Sequence, residues 1–249
     1  MNRLQGKVAL VTGASMGFGA AIALRLAREG AAVAVNYPAA RPDADAVVSQ
    51  IVNDGGKAIS VRADITKRDE VEFMVQQVVH EFGNLDILVN NAGTYEFVAL
   101  EAVTEEHFHR LFDLNVLGMI LVTQACLPHF TRTGASVINI SSVVSVCPSA
   151  YAPVYSATKG AVDALTKSLA KAHGDRQIRF NTLNPSLTPT DGVGRLGEFG
   201  KDLLQEVLDQ TPLGRNGRVE DVAAAVVFFA SDESSFISGE SLLVSGGRR

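Results

Sequence analysis

Tyr155 and Lys159 stand four residues apart in the run Tyr155-Ser156-Ala157-Thr158-Lys159. On a helix that spacing puts both on one face, a single turn from each other. Residues 160–173 indicate the helix, since Ala161, Ala164, Leu165, Leu169 and Ala172 recur there at helical spacing. A phenol is a poor acid at neutral pH, with a reference pKa of about 10, and an ammonium close by favours its phenolate. Such a pair could donate or accept a proton near neutral pH. The spacing alone decides little, because a packed Tyr and a solvated Lys four apart are ordinary on helices. The weight falls on what the rest of the chain brings to this pair.

The chain has 249 residues, 47% hydrophobic and 20% charged, with a net charge of −5. That is globular composition, long enough for a sizeable core. The negative balance argues against nucleic acid or an anionic membrane as partner. No apolar run is expected to approach the roughly 18 residues of a membrane span. Residues 1–7 lead almost directly into a strand, so no signal peptide is expected and the location expected is cytoplasmic. Cys126 and Cys147 are isolated, with no His at ligand spacing, and are expected as two buried thiols, with no metal.

Strand and helix patterns alternate. Residues 7–11 (KVALV) read as a strand buried on both faces. Thr12-Gly13-Ala14-Ser15-Met16-Gly17-Phe18-Gly19 comes next, opening a helix that runs to Glu29 and stops at Gly30. A glycine turn between strand and helix lets the backbone approach a pyrophosphate whose charge sits on the helix N-terminus. The spacing here is GxxxGxG rather than GxGxxG. Further strands are expected at 32–37, 58–62, 86–89, 136–140, 178–183 and 241–244. Helices are expected over 43–53, 66–82, 104–130 with a break near 115–118, 202–210 and 220–230. Successive βα units specify a parallel sheet with helices on both faces, in one domain covering 1–249.

Polar residues gather where such a sheet binds ligands, at the C-terminal ends of its strands. Asn36, with Tyr37 next and Arg41 shortly after, occupies the place where a carboxylate would grip an NAD ribose. The missing carboxylate and Arg41 favour a 2′-phosphate, hence NADP. Asp64 comes after the third strand, Asn90-Asn91-Ala92-Gly93 after the fourth and Ser141-Ser142 after the fifth. Asn115 sits among Leu111, Leu114, Val116 and Leu117, where a buried amide must find partners. Pro185-Ser186-Leu187-Thr188-Pro189-Thr190 and a Gly-rich stretch then form an expected binding loop and helix over 186–211.

Together these residues resemble the classical short-chain dehydrogenase/reductase family over essentially the whole chain. Thr12-Gly13-x-x-x-Gly17-x-Gly19, Asp64, Asn90-Asn91-Ala92-Gly93, Asn115, Ser142, Tyr155-x-x-x-Lys159 and Pro185 to Thr190 fall in the family's order. The resemblance implies a single Rossmann-like doubly wound domain with strand order 3-2-1-4-5-6-7. It implies that Tyr155 is the general acid or base, that Lys159 lowers its pKa and holds the nicotinamide ribose, and that Ser142 binds the substrate oxygen. It implies further that Asn115 holds a water in a proton relay. Gly13, Ser15, Met16, Gly17, Phe18 and Gly19 would cradle the cofactor phosphates. Asp64 with Ile65 would flank the adenine, Asn91, Ala92 and Gly93 the cleft, and Pro185, Ser186, Leu187, Thr188 and Thr190 the nicotinamide. Met16 stands where many NADP-using members carry Arg, Phe18 replaces Ile or Leu, and Ser186 replaces a frequent Gly.

Tyr95, Cys147, Tyr151 and Phe199 lie after loops that would line a substrate pocket. His107, His109 and His129 are expected in surface or capping roles. The expected activity is reversible reduction of a ketone to a secondary alcohol with NADPH, by a homotetramer. Two substrate classes remain open, a free small carbonyl compound or a 3-oxoacyl thioester. A non-catalytic dinucleotide sensor and a methyltransferase are the rivals, and the presence of Tyr155 and Lys159 together argues against both.

Overall fold

Short Val-, Ile- and Leu-rich runs become the strands of one parallel sheet because both of its faces are covered. The computed structural model describes residues 2–39 and 41–248, without the side chains of Arg41 and Asp191. The strands are β1 (Val8–Val11), β2 (Ala32–Tyr37), β3 (Lys57–Arg62), β4 (Ile87–Asn90), β5 (Ala135–Ile140), β6 (Ile178–Pro185) and β7 (Ser241–Val244). Their order is β3-β2-β1-β4-β5-β6-β7, all parallel, as the family pattern implies. Side chains alternate between faces along each strand. Ala9 and Val11 enter one core with α1 (Gly17–Arg28), α2 (Arg41–Asn53) and α9 (Val219–Ala230). Val8 and Leu10 enter the other, with α3 (Arg68–Phe82), α5 (Met119–Cys126) and α6 (Pro153–Ala172) nearby. Burying one Leu or Val side chain in such a core contributes about 2 kcal/mol.

In α1, Gly19, Ile22, Ala23 and Leu26 are buried, the i, i+3, i+4, i+7 stripe of a helix lying on a sheet. Several boundaries move for local reasons. Helix α3 starts at Arg68 rather than Thr66, because the Thr66 N–H and hydroxyl both donate to Asp64 Oδ1, at 2.9 and 2.8 Å. The expected break over 115–118 is a π-helical segment, Asp113–Gly118, between α4 (Glu105–Phe112) and α5. It seats Gly118 against Ile65, where a Cβ would come within 2.8 Å of Ile65 Cδ1.

The Gly-rich segment after β6 is a helix pair, α7 (Asp191–Gly194) and α8 (Gly197–Asp209), so α8 begins five residues before position 202. Gly200 is the reason two short helices pack here. A Cβ on it would lie 2.6 Å from the Val193 carbonyl oxygen.

Two expectations about burial fail. Cys126 is buried but Cys147 is exposed on the loop after β5. His107 is buried rather than on the surface, because α4 turns it inward toward Glu96, with Nε2 3.8 Å from Oε2. The helical run Glu105–His129 is, among the described residues, long and apolar enough to cross a membrane. That differs from the reading that no such run exists, and the reason is core packing: Leu111, Met119, Leu121, Val122 and Cys126 are all buried in the fold.

The N-terminus of β1 is tied to α1 by Glu29, whose Oε1 accepts from Arg3 Nη2 at 3.0 Å and from Arg25 Nη2 at 3.3 Å. Hydrogen bonding to Arg3 pulls the Glu29 carboxyl from its ordinary 4.5 down to about 2. A depressed carboxylate stabilises the fold above its unfolded pKa, and that stability is lost as pH falls through the folded value. Glu29→Gln should therefore lower Tm near pH 7, with the difference from wild type narrowing between pH 4.5 and 2. Thermal melts across that range test it; a difference independent of pH would show that the charge contributes nothing.

Candidate active site

The glycine turn lies where β1 hands over to α1, at the C-terminal edge of the sheet, and the side chains of Asn36, Asn91 and Thr12 hold it. Asn36 Oδ1 accepts from the Gly13 N–H at 3.1 Å, and its Nδ2 donates to the Val61 and Ala63 carbonyls. Asn91 Nδ2 donates to the Thr12 and Gly13 carbonyls at 2.9 and 3.0 Å. Thr12 Oγ1 in turn accepts from the Asn91 and Ala92 N–H groups, both at 3.0 Å. Gly13 has φ +59°, and a Cβ on Gly19 would overlap the Gly13 carbonyl oxygen and lie 2.6 Å from Asn91 Nδ2. Met16, preceding α1, makes no side-chain capping bond to the first-turn amides. A helix N-terminus presented this way fits an anionic diphosphate.

This arrangement changes what Asn36 does. Expected at the ribose, it has its amide group committed to β3 and to the residue just beyond it, and Tyr37 beside it is buried in the core. Arg41 opens α2, and its side chain lies outside the described residues. Asp64 holds the Thr66 turn ahead of α3, with Ile65 buried next to it against Gly118.

Beyond β4, Asn115 in the π-helical turn reads the backbone of Thr94 in both directions. Its Oδ1 accepts from the Thr94 N–H at 2.8 Å and its Nδ2 donates to the Thr94 carbonyl at 2.9 Å. The same Nδ2 reaches Thr158 Oγ1 on α6 at 3.1 Å. The Asn115 side chain is thus a brace between the loop after β4 and α6, and has no hydrogen left over for a water. Gly93 leaves room beside it: a Cβ there would come 3.0 Å from Asn115 Oδ1 and 3.7 Å from Lys159 Nζ.

Tyr155 and Lys159 sit on the first turns of α6, which starts at Pro153, where a proline costs no hydrogen bond. Lys159 is buried, 6% exposed, and its Nζ donates to the Ile140 carbonyl at the end of β5, at 2.9 Å. That ammonium lies 5.7 Å from the centre of the Tyr155 ring. Burial pulls Lys159 down to about 8, partly opposed by the Asp163 carboxylate. Tyr155 as a residue is only partly covered, yet the packing around its hydroxyl pushes the phenol up to about 12, with Ser142 working the other way. The resemblance implies that Lys159 lowers the Tyr155 pKa; without a cofactor, burial is the largest effect on the phenol and Ser142 the opposing one.

An aromatic row leaves Tyr155. Tyr95 lies 6.1 Å from it between ring centres, Phe97 5.9 Å from Tyr95, and Phe199 of α8 5.1 Å from Phe97, edge to face. The Tyr95 hydroxyl is buried without a partner among the described residues, next to Gly192. Phe97 was not among the expected pocket residues, although its place two positions after Tyr95 was a usable signal. Cys147 and Tyr151 are both exposed and stand outside this row. Pro185 belongs to β6, paired with Val244, and beyond it the Ser186 N–H donates to the Val244 carbonyl at 3.0 Å. Ser186 and Thr188 are buried, with Thr188 Oγ1 donating to the Ser186 carbonyl at 3.0 Å; Leu187 lies between them. Thr190 comes back to the glycine turn, where a Cβ on Gly17 would lie 4.0 Å from Thr190 Cβ. Ser15 and Phe18 complete that turn, each partly buried.

A family model described as enoyl-(acyl carrier protein) reductase matches residues 13–249. An uncharacterized oxidoreductase of Methylorubrum extorquens is 49% identical over 249 residues, the whole of both chains. The chain belongs to the classical short-chain dehydrogenase/reductase family. A 3-oxoacyl-(acyl-carrier-protein) reductase of Staphylococcus aureus is 39% identical over 242 residues, 97% of each chain. A solved short-chain dehydrogenase/reductase from Serratia marcescens superposes with a TM-score of 0.92 at 37% identity, covering 98% of both chains. The family implies a nicotinamide dinucleotide, and the glycine cradle and uncapped α1 terminus fit one. Gly19→Ala should weaken dinucleotide binding roughly tenfold or more, because the added methyl has no space. Fluorescence titration with reduced cofactor, alongside circular dichroism, checks it; unchanged affinity would remove the turn from the cofactor site.

Proposed function

We propose that this oxidoreductase reduces a ketone to a secondary alcohol, reversibly, with Tyr155 as the general acid. The observation that carries the reading is the grouping of Ser142, Tyr155 and Lys159 at one edge of the sheet, with a phenol kept neutral by burial. A nicotinamide, when bound, supplies the hydride. Tyr155 holds the proton that a substrate oxygen needs as negative charge grows on it. Ser142, beside Tyr155, offers a second hydroxyl to that oxygen, an electrostatic contribution. Lys159 supplies the positive charge against which a phenolate left on Tyr155 is stabilised. Asn115 braces the helix that carries both, and its Oδ1, which accepts one hydrogen bond, keeps a lone pair for a relay water.

NADP(H) is the preferred cofactor in this reading, because neither Asn36 nor Tyr37 offers a carboxylate to repel a 2′-phosphate, and Arg41 begins the next helix. Cofactor contacts are assigned to Gly13, Ser15, Met16, Gly17, Phe18, Gly19, Arg41, Asp64, Ile65, Asn91 to Gly93 and Pro185 to Thr190. The working unit is a homotetramer, as is common in the family. The substrate is a free small carbonyl compound with an apolar body. The aromatic row of Tyr95, Phe97 and Phe199 supports this, and so does the charge of segment 191–210. That segment carries Arg195 and Lys201 against Asp191, Glu198, Asp202, Glu206 and Asp209, a poor match for an acidic carrier protein. The second reading is a 3-oxoacyl thioester, favoured by the Staphylococcus relative.

Absorbance at the nicotinamide band, with NADPH and NADH in parallel, separates these readings. An aryl ketone, a cyclic diketone and an acetoacetyl thioester are offered to wild type and to Tyr155→Phe. Turnover of a free ketone with NADPH is expected, and a loss of about 10²-fold or more in kcat for the variant with cofactor affinity kept. Substantial residual rate in Tyr155→Phe would remove Tyr155 from the acid role. Turnover of the thioester alone would favour the second reading.

A further inference from the structure

Asp163 continues the spacing of the reactive pair. Tyr155, Lys159 and Asp163 succeed one another at intervals of four, on one face of α6. Asp163 is 8% exposed, a carboxylate inside the fold that the proposed chemistry does not use. Its Oδ2 accepts from Ser145 Oγ at 2.7 Å and from Asn184 Nδ2 at 2.9 Å, while its Oδ1 has no hydrogen-bond partner among the described residues. Ser145 belongs to the turn that Ser142 begins, and Asn184 is the β6 residue just before Pro185. Asn184 Nδ2 also reaches Ser145 Oγ at 2.8 Å and the Ser142 carbonyl at 3.3 Å. A single carboxylate therefore joins the helix carrying Tyr155, the turn carrying Ser142 and the strand end leading into the segment 185–190.

A carboxylate with one unpartnered oxygen is expensive to bury unless a positive charge lies close by. The cation one turn away is Lys159, and its Nζ is directed to the Ile140 carbonyl, so the two act through space rather than as a contact pair. The titratable groups acting on Lys159 are Asp163, along α6, and Tyr155, whose ring faces the ammonium. Ser145 from the turn and Asn184 from β6, the groups packed on Asp163, are uncharged.

Resting on the reading of Tyr155 and Lys159 as the reactive pair, we propose that Asp163 is a positioning residue that supplies the counter-charge to Lys159 and ties the Ser142 turn to α6. Removing the carboxylate leaves Lys159 in the same dry setting without its compensating charge, so the ammonium gives up its proton at lower pH. Removing the Ser145 hydroxyl loosens the turn and leaves that charge in place.

Asp163→Asn and Ser145→Ala separate these two effects. Lysine labelled with 13C at Cε is followed by NMR in the cofactor-free protein, with the Lys159 resonance identified by its loss in Lys159→Arg. The Lys159 midpoint is expected to fall by about one pH unit in Asp163→Asn and to stay within error of wild type in Ser145→Ala. An unchanged midpoint in Asp163→Asn would overturn the proposal, as would an equal fall in Ser145→Ala, which would trace the effect to the turn. With a ketone substrate in hand, the alkaline limb of the reduction rate should move by the same amount in Asp163→Asn; a limb that stays put would count against it. Absence of turnover by wild type with every carbonyl offered would defeat the reading of function, while the NMR result would still judge Asp163.

Discussion

Two ionisable side chains, the partly covered Tyr155 and the buried Lys159, have their titrating atoms held in poorly hydrated surroundings, and the rest of the architecture answers to that constraint. Burial disfavours the charged form of each, raising the phenol to about 12 and lowering the amine to about 8. The opposing desolvation effects leave the tyrosine holding its proton and place the lysine near its own midpoint at slightly alkaline pH. In the proposed reaction, a site prepared in this way is an acid before its partners arrive. Under the same proposal, charge developing on the phenol oxygen would find the Lys159 ammonium nearby, which limits the reorganisation needed during reaction.

Apart from Asp163, the groups that hold this pair in place are amides and hydroxyls. Asn90 Nδ2 donates to Asn139 Oδ1 at 2.8 Å and to Thr123 Oγ1 at 3.1 Å, and Asn139 Nδ2 donates to Thr166 Oγ1 at 2.8 Å. This buried ladder runs from α5 through β4 and β5 to α6, the helix that carries the reactive pair. Asn36, Asn91, Asn115 and Asn184 do the same at the sheet's C-terminal edge, each joining two or more segments through backbone or side-chain partners. An amide both donates and accepts and does not titrate, so each bond it makes narrows the positions its neighbours can take; Oδ1 of Asn90 and of Asn184 has no partner among the described residues.

Much of this was readable in the sequence, and the limits are physical. Short β-branched runs between glycine punctuation marked all seven strands, since a parallel sheet covered on both faces needs unbroken apolar strands. Helix periodicity placed Tyr155 and Lys159 on one face of α6, and the strand pattern placed Ser142 at the end of β5, as the structure has them. What failed was the reading of single polar residues. Asn36 looked like a ribose ligand because its partners, the carbonyls of Val61 and Ala63, lie 25 and 27 residues away in the chain. His107 and Cys147 were misjudged because burial depends on how an element is rotated in the fold. The glycines of α7 and α8 looked like a loop, where one of them instead makes close packing possible. Asp163 was legible as a third member of a spacing of four, yet its partners Ser145 and Asn184 appear only once β6 is set beside β5.

The claim that burial, rather than the nearby ammonium, governs Tyr155 before any cofactor binds can be measured directly. Ultraviolet difference titration of tyrosinate in the cofactor-free protein, wild type against Tyr155→Phe, isolates this one phenol among the four tyrosines. The account predicts identical curves for the two proteins up to about pH 10, with Tyr155 ionising only beyond it. A tyrosinate present in wild type, absent from Tyr155→Phe and titrating between about pH 7 and 9, would contradict it.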